Sequence, residues 1–303
     1  MTEPVDTDPN DPDRTYPDRT DPDRTDPDLV RRLVIANGYP ARSVRRLGAG
    51  LDHTVFLVDG LVVRFASEPD PDRGEREARL LEVVADVAPL PVLQPVFTVP
   101  ELGCLAYRSL PGTPLLEQPP HLVQAETLGT VLGQFLVALQ SIPLERLTGL
   151  VEPDGEPLDA WLAEAADAYC ALAERLPAAV RPAVDAFVHA APPDDPGILM
   201  FSHNDLGIEH VLADGSTVTG VIDWSDAAFV DPSHDLGRLM RDLGPVALDA
   251  ALTAYPGDDP GLRERAVCFA RCGVIEDLGY GLQTGRDRYV RKSLDALAWL
   301  FEA

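Results

Sequence analysis

Lysine is almost missing from this chain: of 303 residues, only Lys292 is one. Nearly every other fixed positive charge is an arginine, so a task that needs a cation away from the C-terminal end falls to a guanidinium. Cysteine is scarce as well. Cys104, Cys170, Cys268 and Cys272 are scattered, and the last two lie one helical turn apart rather than at the two-residue gap of a redox or zinc motif. Buried free thiols are expected. No run of about eighteen apolar residues occurs, and the N-terminal stretch has neither the basic nor the apolar region of a secretory signal. A cytoplasmic protein with no membrane partner is expected. Bases are half as numerous as acids, 25 against 50, for a net charge of −25. That balance argues against nucleic acid and anionic membranes as partners and tolerates cationic ligands.

What the chain does have is 45% hydrophobic residues, enough for a large core organised as one domain or two associated lobes. Residues 11–25 are three five-residue units, Asp-Pro-Asp-Arg-Thr or Tyr-Pro-Asp-Arg-Thr. With a proline every fifth residue and Tyr16 as the one sizeable apolar side chain, this stretch cannot offset its ordering entropy, so residues 1–27 read as a disordered acidic tail. A short helix is expected at 29–36. Residues 43–66 then carry three alternating runs, split by Gly48-Ala49-Gly50 and by the Asp59-Gly60 turn. A helix over 75–87 and strands at 92–99 and 104–107 complete a small lobe, residues 28–110, of five antiparallel strands and one helix.

Beyond Pro111-Gly112 the periodicity becomes helical, at 126–140, 159–176, 182–189, 235–243, 246–255, 262–278 and 287–301. Residues 111–303 therefore read as a larger, mainly helical lobe with one β interruption, 198–223. The expected fold class is α+β and bilobal. Within the interruption stand His203-Asn204-Asp205, His210 and, eighteen residues after Asp205, Ile222-Asp223-Trp224. A tight turn at Asp214-Gly215-Ser216 would bring Asp205, His210 and Asp223 together. Phosphoryl transfer to an alcohol needs that arrangement: one carboxylate to orient the hydroxyl and accept its proton, and further ligands for Mg²⁺ on the phosphates.

These motifs resemble those of the aminoglycoside/macrolide phosphotransferase family, whose members share the protein-kinase-like fold. His203-Asn204-Asp205 is similar to its catalytic segment, Ile222-Asp223-Trp224 to its metal-binding segment, and Asp231-Pro232-Ser233-His234-Asp235-Leu236 to its Asp-Pro-x-x-Asp-Leu helix start. The resemblance covers about residues 40–300. It implies Asp205 as catalytic base and Asp223 as metal ligand. Most relatives have asparagine at the position of His210, which is here either a second metal ligand or an orienting residue. In the first lobe, Gly48, Gly50 and His53 look like the hairpin that covers a nucleotide. Arg64 takes the place of the kinase β3 lysine, with Glu77 as its helix partner, and Tyr107, Arg108 and Leu110 resemble the hinge that receives the base.

The implied activity is transfer from ATP or GTP to a hydroxyl of a small molecule, a natural-product antibiotic of aminoglycoside, macrolide or nucleoside type, by a monomer or dimer. A metabolic kinase for choline, an amino alcohol or a sugar, and a non-catalytic nucleotide-binding module, are the alternatives. No Ala-Pro-Glu segment follows Asp223, which argues against a protein substrate. His203 is read as holding the loop. Asp235 is read as capping its helix and tying down that loop. Asp226 is a substrate-side acid, a supporting residue or a loop residue. Asp159, Glu164, Asp167, Glu276 and Asp277 are either a cationic-substrate pocket or solvated faces.

Overall fold

The computed structural model describes residues 26–49, 53–68, 70–119, 124–255 and 259–301. The repeats up to residue 25 and Gly50 lie outside the described residues. The alternating runs of the first lobe form β1 (Val44–Ala49), β2 (His53–Val58), β3 (Leu61–Ala66), β4 (Pro95–Val99) and β5 (Cys104–Arg108). They make one antiparallel sheet in the order β1-β2-β3-β5-β4. Two-residue alternation sends successive side chains to opposite faces. Val63 and Phe65 accordingly join Phe56 and Val58 beneath Val30 and Val34 of α1 (Pro27–Ala36), while Leu105 and Tyr107 enter the main core on the other face.

The helix expected from residue 75 is α2 (Pro71–Ala85), and it starts a turn earlier. Asp70 caps it by accepting from the N–H groups of Asp72 and Arg73, and Pro71 supplies the preset φ of a first turn. The strand expected from residue 92 begins only at Pro95. Residues 91 and 92 are diverted to the second lobe, where Val221 N–H donates to the Pro91 carbonyl at 3.1 Å and Val92 bridges Val221.

The second lobe is built on α3 (Ala125–Gln140), α4 (Leu144–Leu147), α5 (Leu158–Leu172), α6 (Arg181–Val188), α7 (Ser233–Leu243), α8 (Pro245–Leu252), α9 (Leu262–Thr284) and α10 (Asp287–Phe301). α3 and α8 touch backbone to backbone: a Cβ on Gly129 would lie 2.2 Å from the Ala247 carbonyl oxygen, and one on Gly133 2.6 Å from Ala251 Cα. α9 runs past the expected residue 278 and stops where Gly285 takes a left-handed φ of +67°. The β interruption resolves into two small sheets. β7 (Met200–Ser202) pairs with β10 (Ala228–Val230), and β6 (Thr113–Pro114), β8 (Val211–Asp214) and β9 (Thr217–Val221) form a three-stranded unit. All four cysteines are free, and Cys170 is exposed rather than buried because it sits on the solvent face of α5. No helix among the described residues is long and apolar enough to cross a membrane.

Candidate active site

The β8–β9 hairpin does the expected work. Val211 pairs with Val221, and Ile222 N–H donates to the His210 carbonyl at 3.0 Å, so the residues before β8 meet those after β9. His203 locks the join. Its Nδ1 accepts from the Asp205 N–H at 3.3 Å, which leaves the proton on Nε2 to donate to the Ile222 carbonyl at 3.0 Å. Complete burial holds this imidazole below its usual range, as a neutral tautomer with both nitrogens in use requires.

Asp205, His210 and Asp223 converge. His210 Nδ1 donates to the Asp205 carbonyl at 2.8 Å and lies 3.2 Å from Asp205 Oδ2, while His210 Nε2 lies 3.6 Å from Asp223 Oδ2. Asp223 Oδ1 accepts from Ser225 Oγ at 2.9 Å and stands 3.9 Å from Arg64 Nη1. Arg64 on β3 is also paired with Glu77 of α2, and both side chains are buried. Asn204 and Asp223 have left-handed φ values of +66° and +63°. Such backbone costs about 1–3 kcal/mol per residue and persists only where surrounding bonds hold it.

Burial pushes the Asp205 carboxyl up, but Arg238 and then His210 outweigh it and hold the group well below the usual carboxylate range. Burial pushes Asp223 up too, and His210, Ser225 and Arg64 overcome it. His210 is driven the other way: burial opposes its charge, but the hydrogen bond and charge of Asp205, with Asp223 and Glu209, raise it to about 9. Both acids are therefore ionised and face one cationic ring.

Arg238 is the partner that sequence reasoning missed. Its Nη1 lies 3.0 Å from Asp205 Oδ1 and its Nη2 donates to the Asn204 carbonyl at 3.0 Å. The signal was available, since Arg238 stands three residues after Asp235 and so shares its face of α7. Asp235 itself is no cap. It lies inside α7, whose N-cap position is Pro232, and the Ser233 N–H at the helix start donates to Asp231 Oδ1 at 2.8 Å. The Asp235 carboxylate, fully buried, accepts from Ser202 Oγ at 2.8 Å and from the N–H groups of Asn204 and Leu206 at 3.0 and 3.1 Å. It ties down the loop from below, as expected.

Other predicted residues lie on the first lobe and just after it. Gly48 and His53 sit on β1 and β2, Tyr107 and Arg108 on β5, and Leu110 follows them. Tyr107 is buried beside Arg64, whereas Arg108 is exposed. Leu110 packs so closely on β9 that a Cβ on Gly220 would meet its Cδ1 at 2.5 Å. Asp159, Glu164, Asp167 and Glu276 are exposed, while Asp277 is half-buried among cations. Asp226 is exposed as a residue, but partial desolvation of its carboxyl, then the charges of Asp205 and Asp223, raises it.

Among the described residues, no group of three or more His, Cys, Asp or Glu forms a cage for a metal ion. Asp223 Oδ2 fits an ion that takes its remaining ligands from phosphates and water, the usual manner of Mg²⁺, and His210 Nε2, 3.6 Å from that oxygen, can join it only when the arriving ion displaces the ring's second proton.

Known proteins of similar structure follow from this geometry. A complex of an aminoglycoside phosphotransferase, APH(2")-IIIa, with GDP and kanamycin superimposes with a TM-score of 0.64 at 20% identity, over 89% of this chain and 97% of that one. The macrolide 2'-phosphotransferase MphH from Brachybacterium faecium gives 0.61 at 22% identity, over 89% and 98%. A streptomycin–ATP ternary complex of APH(2")-IIa gives 0.55 at 17% identity, over 90% and 98%. These likenesses identify the bilobal, protein-kinase-like fold. A search of curated proteins returns no match. The model of the phosphotransferase enzyme family matches residues 43–267, from β1 through the Asp205 loop and α7 into α9, and with that match over most of its length the chain belongs to the phosphotransferase enzyme family.

Proposed function

We infer that this phosphotransferase carries the terminal phosphoryl group of ATP or GTP to a hydroxyl of a small natural-product antibiotic and thereby inactivates it. The observation that carries the reading is the meeting of Asp205, His210 and Asp223 opposite the buried Arg64–Glu77 pair. The nucleotide lies between the lobes, its base toward the backbone of 107–110 and its phosphates by Gly48 and His53, with Arg64 on their oxygens. Asp205 receives the acceptor hydroxyl. A new bond forms between that oxygen and the terminal phosphorus, the bond to the bridging oxygen breaks, the proton passes to the Asp205 carboxylate, and the nucleoside diphosphate leaves. Asp223, joined by His210 once its ring has given up its second proton, would hold Mg²⁺, which when bound neutralises charge on the phosphates.

Support for the acceptor class comes from the structural neighbours, which are aminoglycoside and macrolide phosphotransferases. The test couples nucleoside diphosphate release to a panel of aminoglycosides, macrolides and nucleoside antibiotics, with choline, amino alcohols and sugars as rivals. Asp205→Asn should lose about 10²–10⁴-fold in turnover while nucleotide affinity stays within about twofold. Turnover retained by that variant, or transfer to the metabolic alcohols alone, would refute the reading.

A further inference from the structure

The catalytic loop carries one more charged side chain, Glu209, to which the transfer chemistry assigns no task. Its Oε2 lies 2.9 Å from Lys292 Nζ on α10, and its Oε1 3.8 Å from Arg241 Nη2 on α7. Lys292 also stands 3.3 Å from Asp242 Oδ1 and 3.0 Å from Asp277 Oδ2, and Arg241 lies within 2.8 Å of Asp242 and 3.1 Å of Asp277. The Lys292, Arg241 and Asp242 side chains are only 8%, 3% and 2% exposed. Asp242 Oδ2 accepts the backbone N–H of Ile208 at 3.1 Å, so two consecutive loop residues are held by this network.

A second feature serves the same carboxylate. A Cβ on Gly207 would lie 2.6 Å from Glu209 Cδ and 2.7 Å from each of its oxygens, so the loop has room for the pinned Glu209 only because residue 207 has no side chain. Burying five charges drawn from the loop, α7, α9 and α10 is a poor way to gain stability, since apolar side chains of similar volume would hold three helices at least as well. What the network does deliver is a fixed place for the loop. Glu209 is followed directly by His210, whose Nδ1 contacts both the carbonyl and the carboxylate of Asp205.

We propose that Lys292 is a positioning residue for phosphoryl transfer, acting through Glu209 to set where His210 and Asp205 stand. The kinetic half of this proposal rests on the phosphotransferase function described above, so the test has a second half that needs no acceptor. The full chain is labelled with ¹⁵N-histidine, and its six histidines are followed in the wild type and in Lys292→Met, Lys292→Arg, Glu209→Gln and Gly207→Ala. Lys292→Met should move the His210 ring resonances and leave those of His189, exposed at the end of α6, in place. Lys292→Arg should restore them, and Gly207→Ala should reproduce the shift.

With an acceptor in hand, Lys292→Met should lower kcat about 10²-fold with nucleotide KM within about twofold, as a displacement near 1 Å does. Lys292→Arg should recover most of that loss, and Glu209→Gln combined with Lys292→Met should be no worse than the more damaged single variant. If Lys292→Met does not fold, Glu209→Gln carries both measurements. His210 resonances that coincide with the wild type in these variants overturn the proposal, as do losses that multiply in the double variant. Failure of the wild type to phosphorylate any acceptor would remove the phosphotransferase reading, and the histidine spectra would still decide the role of Lys292.

Discussion

Replacing Asp235 with asparagine is the sharpest test of how the Asp205 loop is held. The carboxylate offers two oxygens to three donors: Oδ2 accepts from Ser202 Oγ and the Asn204 N–H, and Oδ1 from the Leu206 N–H. Asparagine has one acceptor oxygen, so if it keeps the pair at Oδ2 its amide nitrogen faces the Leu206 N–H, donor against donor. One charge-assisted bond worth about 1.5–3 kcal/mol is lost and a buried N–H is left unpaired, for a total near 3 kcal/mol. In a chain of this size each kcal/mol moves Tm by about 2–4 °C, which sets the expected fall at roughly 6–12 °C. Alanine orphans all three donors and should cost about 5 kcal/mol. Calorimetry and urea titration read the stability, and because Leu206 adjoins Asp205, turnover should drop with nucleotide affinity kept. A melting point within about 2 °C of wild type for Asp235→Asn would show that the loop is held by something else.

Three further outcomes follow from the geometry. Arg64→Met should weaken nucleotide binding about 10–100-fold by titration calorimetry, the equivalent of one charge-assisted bond, and unchanged affinity would remove Arg64 from the phosphate site. His234 lies between the rings of Trp161 and Phe269 at 5.0 and 4.9 Å, and burial, followed by the charge of Arg238, pushes its acid range down to about 4 from 6.5. The folded state then binds fewer protons than the unfolded chain, so this contribution is present above pH 6.5 and is lost as pH falls toward 4, by roughly 3 kcal/mol. Urea unfolding at pH 7 and 4.5 should therefore show a smaller acid penalty in His234→Phe than in the wild type, and equal penalties would contradict the assignment. Gly133→Ala would drive its new methyl to 2.6 Å from Ala251 Cα and 2.7 Å from the Ala251 carbonyl oxygen, both main-chain atoms. A loss of about 2–3 kcal/mol is expected in denaturant titration, and a neutral result would mean that α3 and α8 can slide apart freely.

Much of this architecture was legible in the chain because its signals are local. Alternation over 54–65 and helical spacing over 126–140 each report one element, and the Asp214-Gly215-Ser216 turn fixes which residues a hairpin brings together. Contacts between distant elements leave no such period. Arg238 is announced only by its spacing after Asp235 and not by anything near Asp205, nothing near Glu209 announces Lys292 on α10, and the diversion of Val92 to β9 breaks a run that reads as one strand. Asp235 shows the intermediate case. Its tie to the loop was legible from its place before an apolar run, but it cannot cap α7, because a capping residue must stand outside the first turn and α7 begins at Ser233, after Pro232.

The electrostatics of Asp205 bear on how such a site can work. Arg238 and His210 occupy one edge of each carboxylate oxygen and hold the group well below the usual range, so it is a poor base toward an alcohol. That is no handicap if the transition state is loose: the bond to the acceptor oxygen is then barely formed, its proton leaves late, and a carboxylate that stays charged and aimed is worth more than one with high proton affinity. Catalysis would depend on place, and the loop is fixed from every side by groups that never meet the substrate. Asp235 holds its backbone from α7, Asp242 and the Glu209–Lys292 pair hold its far end, and His203 ties it to the Ile222 carbonyl. On this reading the steepest losses of turnover outside the reacting groups should map to these anchors, and substitutions on the exposed helix faces, such as Asp159→Asn or Glu164→Gln, should leave it unchanged.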